Sequence, residues 1–362
     1  MSAYPSVSDF WQIRCRRLGK LLPDGHVLKD LAGSLWESFK EETHQLAIPG
    51  VEGDRLNIKV LSVQQGPTRR YAFYEWQHVP ESFHQVQRAR AVHANLRCAF
   101  AGTANDKILG AVNVNLQELL LTQVDKLCEQ MAAWWEKNED TYLSPFSQMA
   151  YVMRNWLDGV YGDKPVGEHP SLDALKEIDI GPRELIAECA KSIYSILKQQ
   201  LKLNDEPEIG LIGIGSWAES VTSELRCLGA ICDRFDHVPV GREREIFFLI
   251  HNENCITADE AARLKCKALV EMIPGQINPE ADELLKQREI LIVPDLLCSC
   301  AQEIMEDWWL GGRRMPGWAM VLFIRLQELW DELQKKREEL DANYHDAAFL
   351  TALEKLADRW HI

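Results

Sequence analysis

The chain has no apolar run approaching the length needed to cross a bilayer and no visible signal-peptide core, so membrane-spanning and exported classes are not expected. It also has no Cys-x-x-Cys pair among its ten cysteines, which leaves zinc ribbons and thioredoxin-type redox motifs without support. Most cysteines sit inside apolar runs, as Cys98, Cys189 and Cys232 do. They read as small buried hydrophobes of a reducing, intracellular compartment. Cys298 and Cys300 form the one close pair, and no second ligand cluster accompanies them, so no metal site is expected. Basic residues are in deficit: 40 Lys and Arg against 55 Asp and Glu leave a net charge of -15. Nucleic acid and acidic membrane surfaces would repel such a chain. Internal repeats and low-complexity tracts are absent as well.

What is present is an ordinary globular balance, 46% hydrophobic and 26% charged, on 362 residues, enough for two domains with good cores. The most informative stretch is 208–233, EIGLIGIGSWAESVTSELRCLGAICD. Ile209, Leu211 and Ile212 form a short apolar run bounded by glycine, which reads as a buried strand. Gly213-Ile-Gly215-Ser216-Trp217-Ala218 then gives the G-x-G-x-x-A turn, followed by a helix ending near Gly229 and a second apolar run closed by Asp233. Order and spacing match a dinucleotide-binding βαβ unit. Gly213 permits the tight turn, Gly215 lets the backbone approach a pyrophosphate, and Ala218 allows close helix–strand packing. The helix N-terminus offers unpaired N–H groups to phosphates. Asp233 is placed to accept hydrogen bonds from an adenosine ribose, which favours NAD over NADP. Trp217 is unusual in such a turn; its ring either stacks on the adenine or blocks the crevice. A βαβ unit that only packs would leave the same pattern.

Along the rest of the chain, residues 1–50 are expected to be helical. Within them 10–22, FWQIRCRRLGKLL, is a basic amphipathic stretch without an acid. It reads either as a targeting peptide, which would place the protein in the mitochondrial matrix rather than the cytoplasm, or as a docking first helix. Strands are expected at 56–63, 71–76, 96–101 and 109–114, with helices at 80–97, 116–137 and 146–160 and a loop at 138–145. Residues 159–182, rich in Gly, Pro and Asp, form the expected hinge. A long helix to 203 precedes the glycine turn. Further apolar runs at 246–250, 268–270 and 290–293, separated by helical stretches, imply a parallel sheet covered by helices. The gap from Asp233 to Glu245 is too short for a full crossover, so one element of the usual doubly wound order is missing. Leu322, Leu326, Leu329, Leu333 and Leu340 recur at spacings of four and three. This stripe is either a coiled-coil seam or a helix packed on its own domain.

Several strings converge on one family. Glu271, Gly275, Asn278-Pro-Glu-Ala-Asp282 and Ile290-Leu-Ile-Val-Pro294-Asp295 resemble the nucleotide domain of the glutamate dehydrogenases, where E-G-A-N-G-P precedes P-E-A-D and a strand ending V-P-D. His345-Asp-Ala-Ala-Phe is similar to the R-T-A-A-Y string that begins the family's C-terminal helix. Arg70-Tyr71, Arg97-Cys98-Ala99, Gly110-Ala111-Val112 and Lys164-Pro165 fall in family order. The resemblance implies an α/β fold of two domains without the antenna insertion. An N-terminal α/β domain with a mixed sheet would span 1–180, and a Rossmann-like parallel-sheet domain 181–342. A C-terminal helix, 343–362, would return toward the N-terminal domain.

The family reaction takes a hydride from the α-carbon of glutamate and hydrolyses the imine, using a lysine of depressed pKa and a proton-shuttling aspartate. Here the resemblance fails at those places. The K-G-G-x-R-Y lysine falls on Gly66, the lysine before C-A on Arg97, and the catalytic lysine of G-G-A-K-x-G on Leu109. The P-A-P-D aspartate corresponds to Leu143-Ser-Pro145, with Glu139 and Asp140 the nearest acids. Lys107, two places from the catalytic slot, and Arg97, which keeps charge but not ammonium geometry, are the remaining catalytic candidates. On the cofactor side Pro274 replaces an asparagine, and Cys298-Ser-Cys300-Ala301 replaces N-A-G-G. The first expectation is therefore an inactive paralogue that binds NAD(P), NAD preferred, or a partner through Gly213, Gly215, Ser216, Trp217, Ala218 and Asp233. The alternatives are an active NAD(P)-dependent amino-acid dehydrogenase, and a structural subunit, homo- or hetero-oligomeric with related dehydrogenases.

Overall fold

The computed structural model describes residues 7–47, 55–64, 66, 68, 70–75, 81–103, 108–112, 121–136, 142–144, 146, 148–161, 180–239, 241–251, 255–311 and 317–362. The chain is α/β and divides into two compact units. One comprises Ser34–Asn95 and Ala104–Pro182; the other comprises Met1–Gly33, Leu96–Thr103 and Arg183–Ile362. The larger unit thus takes in 1–33 and 96–103, which a single boundary at 180 would give to the N-terminal half. The expected hinge lies almost wholly outside the described residues.

The smaller unit holds a five-stranded mixed sheet in the order β1-β2-β3-β4-β5. β1 (Phe39–Ala47), β2 (Arg55–Val63) and β3 (Tyr71–Glu75) are antiparallel, whereas β4 (Ile108–Val112) and β5 (Tyr142–Leu143) add in parallel. Leu61 and Tyr71 pack against Ala91 and Ala94 of the helix α3 (Glu81–Ala101), with Phe39 at the margin. Two expectations fail. Residues 39–47 form an edge strand rather than a helix, because FKEETHQLA alternates weakly and finds its partner, β2, in the next segment. Residues 96–101 continue α3 instead of starting a strand. The helix is buried on several sides, so its apolar run cannot be told from a strand by pattern alone. It stops at Gly102, whose φ of 70° closes the turn, with Thr103 N–H donating to the Cys98 carbonyl at 3.1 Å. The unit also contains α4 (Leu121–Glu136), α5 (Gln148–Tyr161) and the end of α2 (Val27–Glu37).

In the larger unit α6 (Pro182–Gln200) leads into β6 (Glu208–Gly213), α7 (Ser216–Cys227) and β7 (Ile231–Phe235). β8 (Ile246–His251), α8 (Ala258–Arg263), β9 (Ala268–Glu271), α9 (Pro279–Gln287) and β10 (Leu291–Val293) follow. The sheet is wholly parallel, in the order β10-β9-β8-β6-β7. β7 passes directly to β8 without a helix, so the element expected to be missing is indeed missing. Gly210 is fixed by packing: a Cβ there would lie 2.2 Å from Cε1 of the buried Phe247 on β8. α10 (Asp295–Ser299), α11 (Ala301–Leu310), α12 (Trp318–Leu340) and α13 (Tyr344–Trp360) complete the unit. Leu322, Leu326, Leu329 and Leu333 of α12 are buried, and the helix packs on α13 within its own unit. The N-terminal basic stretch forms α1 (Val7–Leu21), which also packs on α13. Among the described residues no helix is long and apolar enough to cross a membrane.

Candidate functional site: a glycine turn and the locked edge beside it

In this sheet the chain leaves β6 toward β7 on one side and returns to β8 on the other. The strand order reverses there, and ligands of parallel sheets bind beyond the carboxyl ends at such a point. Gly213 and Gly215 occupy it with φ of 142° and 90°, a region that residues with a Cβ rarely enter. Gly215 has ψ of -176° and caps α7 with no side-chain hydrogen bond. Space above it is open: nothing lies within 4 Å of where a Cβ would stand. The first N–H groups of a twelve-residue helix therefore face this turn without a side-chain acceptor at the cap. Ala218 is fully buried, as close helix–strand packing requires. Ser216 begins the helix, and its carbonyl accepts from Ser220 Oγ at 3.1 Å. Ile214 (57% exposed) and Trp217 (41%) present large apolar surfaces beside the turn.

Asp233 of the next strand and Asp236 just beyond it differ in position. Asp233 pairs in register with Gly210, three residues below Gly213 and so about 10 Å from the carboxyl edge at 3.3 Å per residue. Its carboxylate accepts from Arg244, which also bonds Glu208 at 3.0 Å and lies over the Phe235 ring at 5.9 Å. Asp236 follows the last residue of β7, whose Phe235 pairs with Ile212, and it is exposed at the edge. Counting about twenty residues from the first glycine reaches Asp233; the signal for Asp236 is the strand's true end after Arg234-Phe235.

Beyond β9 and β10 the edge is bound up in the chain's own contacts. Glu271, 1% exposed, ends β9. Its Oε1 accepts from the N–H groups of Gln276 (2.6 Å) and Ile277 (3.0 Å), and its Oε2 lies 2.7 Å from His345 Nε2. His345 Nδ1 faces Asp282 Oδ1 at 2.8 Å, and Asp282 Oδ2 accepts from Arg17 at 2.9 Å. Arg14 and Arg17 of α1 both stand 3.7 Å from Asp346. Burial alone would lower the His345 pKa, but Asp282 and Glu271 outweigh it and hold the imidazole charged, with a pKa of about 10. Burial pushes the Glu271 carboxyl up despite His345; at Asp282 the same penalty is outweighed by His345, Arg14 and Arg17, and the pKa falls. Glu271, Asp295 and His345 are the one group among the described residues close enough to hold a metal ion. The 2.7 Å contact between Nε2 and Oε2 is a hydrogen-bond distance, and the arginines already supply countercharge, so the cluster reads as a closed ion network.

The remaining candidates scatter. Arg97, near the C-terminal end of α3, forms an ion pair with the fully buried Glu303 at 3.0 Å. Lys107, Pro145, Glu139 and Asp140 lie outside the described residues. Leu109 lies in β4, paired with Leu143 of β5, Ser144 is buried, and Gly66 is exposed with φ of 65°. Cys298 and Cys300 are buried thiols whose pKa burial lifts well above the usual value, so neither supplies a thiolate. Gly275, with φ of 80°, follows Pro274 in the turn after β9.

No protein-family model matches the chain. A 111-residue segment, 29% of the chain, is 30% identical to a glutamate dehydrogenase of Thermotoga maritima, of which it covers 27%. A similar segment is 25% identical to the NAD-specific glutamate dehydrogenase A of Halobacterium salinarum, covering 26% of that relative. The matched region thus spans about a quarter of these relatives' length. The hetero-hexameric glutamate dehydrogenase of Thermus thermophilus, in its leucine-bound form, superposes with a TM-score of 0.72 over 99% of this chain and 97% of that one, at 15% identity. The chain therefore has the fold seen in glutamate dehydrogenases.

Proposed function

We propose that this chain is a divergent member of the glutamate dehydrogenase family that binds a nicotinamide dinucleotide and has lost amino-acid turnover. The observation that carries the reading is the Gly213–Gly215 turn, held in a glycine-only conformation with open space above it, at the reversal point of the parallel sheet. The sequence relationship to glutamate dehydrogenases supports the family and the cofactor class. Gly213, Gly215, Ser216 and the α7 N-terminus would hold the pyrophosphate, with Ala218 keeping helix and strand close. Trp217 would lie beside it, and an acid in or just after β7 would take the adenosine ribose. Asp236 suits that last role better than Asp233, whose charge Arg244 already neutralises. A carboxylate there disfavours a 2′-phosphate, so NAD is preferred.

Loss of turnover is supported by the residues at the family's lysine positions, Gly66, Arg97 and Leu109. Arg97 is paired with the buried Glu303 at 3.0 Å, so part of its guanidinium is committed to the chain's own contacts. When bound, the dinucleotide would accept or supply hydride; this chain's contribution is binding and orientation. Like its hetero-hexameric structural relative, the protein assembles with itself or with related dehydrogenases. Isothermal titration with NADH on the full chain, beside an amino-acid panel assayed for NADH production, tests the reading. Micromolar binding with a silent panel supports it. No binding at millimolar NADH overturns the nucleotide half, and NADH production overturns the loss of turnover. Native mass spectrometry tests assembly, and a monomer alone would overturn that part.

A further inference from the structure

We infer that two copies of this chain join along β1, antiparallel about a two-fold axis at Thr43, so that their mixed sheets run on as one. This rests on the self-assembly proposed above and names its surface and its register.

β1 ends its sheet, with β2 on the inner side. It pairs with β2 over nine residues, Phe39–Ala47, in unbroken register, and it contains neither proline nor glycine. A regular edge of this length, interrupted by no bulge and no proline, is a template for a further strand. Gln64 N–H donates to the Ser38 carbonyl at 2.7 Å, one step beyond the Phe39–Val63 pair. Facing residues of antiparallel strands alternate between hydrogen-bonded and non-hydrogen-bonded pairs. Lys40, Glu42 and His44 therefore turn their backbone groups toward β2, as Ser38 does. Phe39, Glu41, Thr43, Gln45 and Ala47 turn theirs outward, and Glu41, Thr43 and Gln45 are exposed.

The side chains then select the register. A two-fold axis brings together residues equally far on either side of it. Centred on Glu41 or Glu42, it would set a carboxylate against its own copy, and like charges directly opposite repel. Thr43 is the midpoint of β1, so an axis there pairs the whole strand. Thr43 meets Thr43 of the second copy, Glu41 meets Gln45, and Phe39 meets Ala47, all at outward-turned, hydrogen-bonding positions. Glu42 meets His44 at a non-hydrogen-bonded pair, where facing side chains come closest, with Cα atoms about 4.5 Å apart. That contact occurs on both sides of the axis and sets an imidazole N–H against a carboxylate. No acid opposes an acid. Lys40 bonds Glu42 at 2.6 Å within each strand, so the row Lys40, Glu42, His44 alternates in character along one face. Moving the centre to His44 shortens the ladder and parts Glu42 from His44.

Native mass spectrometry and hydrogen exchange on the full-length protein test this. The wild type should be an even-numbered assembly. Thr43→Pro removes an N–H that points away from β2, and Thr43→Lys sets two ammonium groups face to face at the axis. Each should halve the mass of the assembly. Amides of 39–47 should exchange about tenfold faster in Thr43→Lys than in the wild type. Halving by Thr43→Lys supports the inference even where Thr43→Pro fails to fold. An assembly whose mass and exchange Thr43→Lys leaves unchanged overturns it and leaves self-assembly standing. A monomeric wild type overturns both.

Discussion

Arg17 and Asp282 meet at 2.9 Å although 265 residues separate them in the chain. Asp282 has no exposed side-chain surface, and α1 delivers the guanidinium that neutralises it. This explains why the basic N-terminal stretch carries arginines on one face: they belong to the fold of the larger unit. Arg17→Ala should destabilise the protein by about 1–3 kcal/mol, the cost of losing one charge-assisted hydrogen bond while His345 and Arg14 still face Asp282. Urea denaturation of the full chain measures it. A change under about 0.5 kcal/mol would show that Arg17 does not neutralise Asp282.

The imidazolium of His345 makes a prediction in pH. Its folded pKa, about 10, stands above the unfolded value of 6.5. The stability it contributes is complete below pH 6.5 and is lost as pH rises through 10. Within that window one bound proton changes stability by about 1.4 kcal/mol per pH unit. The urea midpoint should therefore fall between pH 7 and pH 10. His345→Gln should lower the midpoint at pH 7 and flatten the slope, because Asp282 and Glu271 then face an uncharged side chain. A wild-type midpoint constant from pH 7 to 10 would show that the ring is neutral in the folded state.

Gly210 and Phe247 are coupled by shape. An alanine at 210 drives its methyl into the fully buried Phe247 ring. Gly210→Ala should cost about 1–3 kcal/mol by overpacking. Phe247→Leu should relieve part of that cost in the double variant, and a thermodynamic cycle reads the coupling. Additive effects would mean that the strand shifts instead.

The glycine turn, the start of α9 at Asn278-Pro279 and the missing crossover were legible because each is local: a few neighbouring residues fix the backbone. Asn278 caps α9 with Oδ1 accepting from Glu280 N–H at 2.9 Å, and Pro279 stands in the first turn. The ion network was not legible, since Arg17, Glu271, Asp282 and His345 come from four separate places and only the fold joins them. In the resemblance His345 stands where the family string has arginine, and the imidazolium keeps that charge. β1 escaped notice because an edge strand carries polar residues that mimic a solvated helix. The apolar end of α3 misled for the opposite reason, a helix buried on several sides having no polar face to mark its period.

The two aspartates of β7 and its end separate structure from binding. Asp233 is paired with Arg244 at a half-exposed site, so Asp233→Asn should change stability by less than about 1 kcal/mol and leave nucleotide affinity untouched. Asp236, exposed at the tip of the strand, is the acid that the proposed nucleotide reading assigns to the ribose. Asp236→Ser removes the charge that opposes a 2′-phosphate, so the ratio of NADPH to NADH affinity should rise about tenfold, worth about 1.4 kcal/mol. Parallel titrations of the two variants with both cofactors decide the matter. If Asp233→Asn moves the ratio and Asp236→Ser does not, the ribose sits a full turn of pleats deeper than the strand's end, and Arg244 must swing away from Asp233 to admit it.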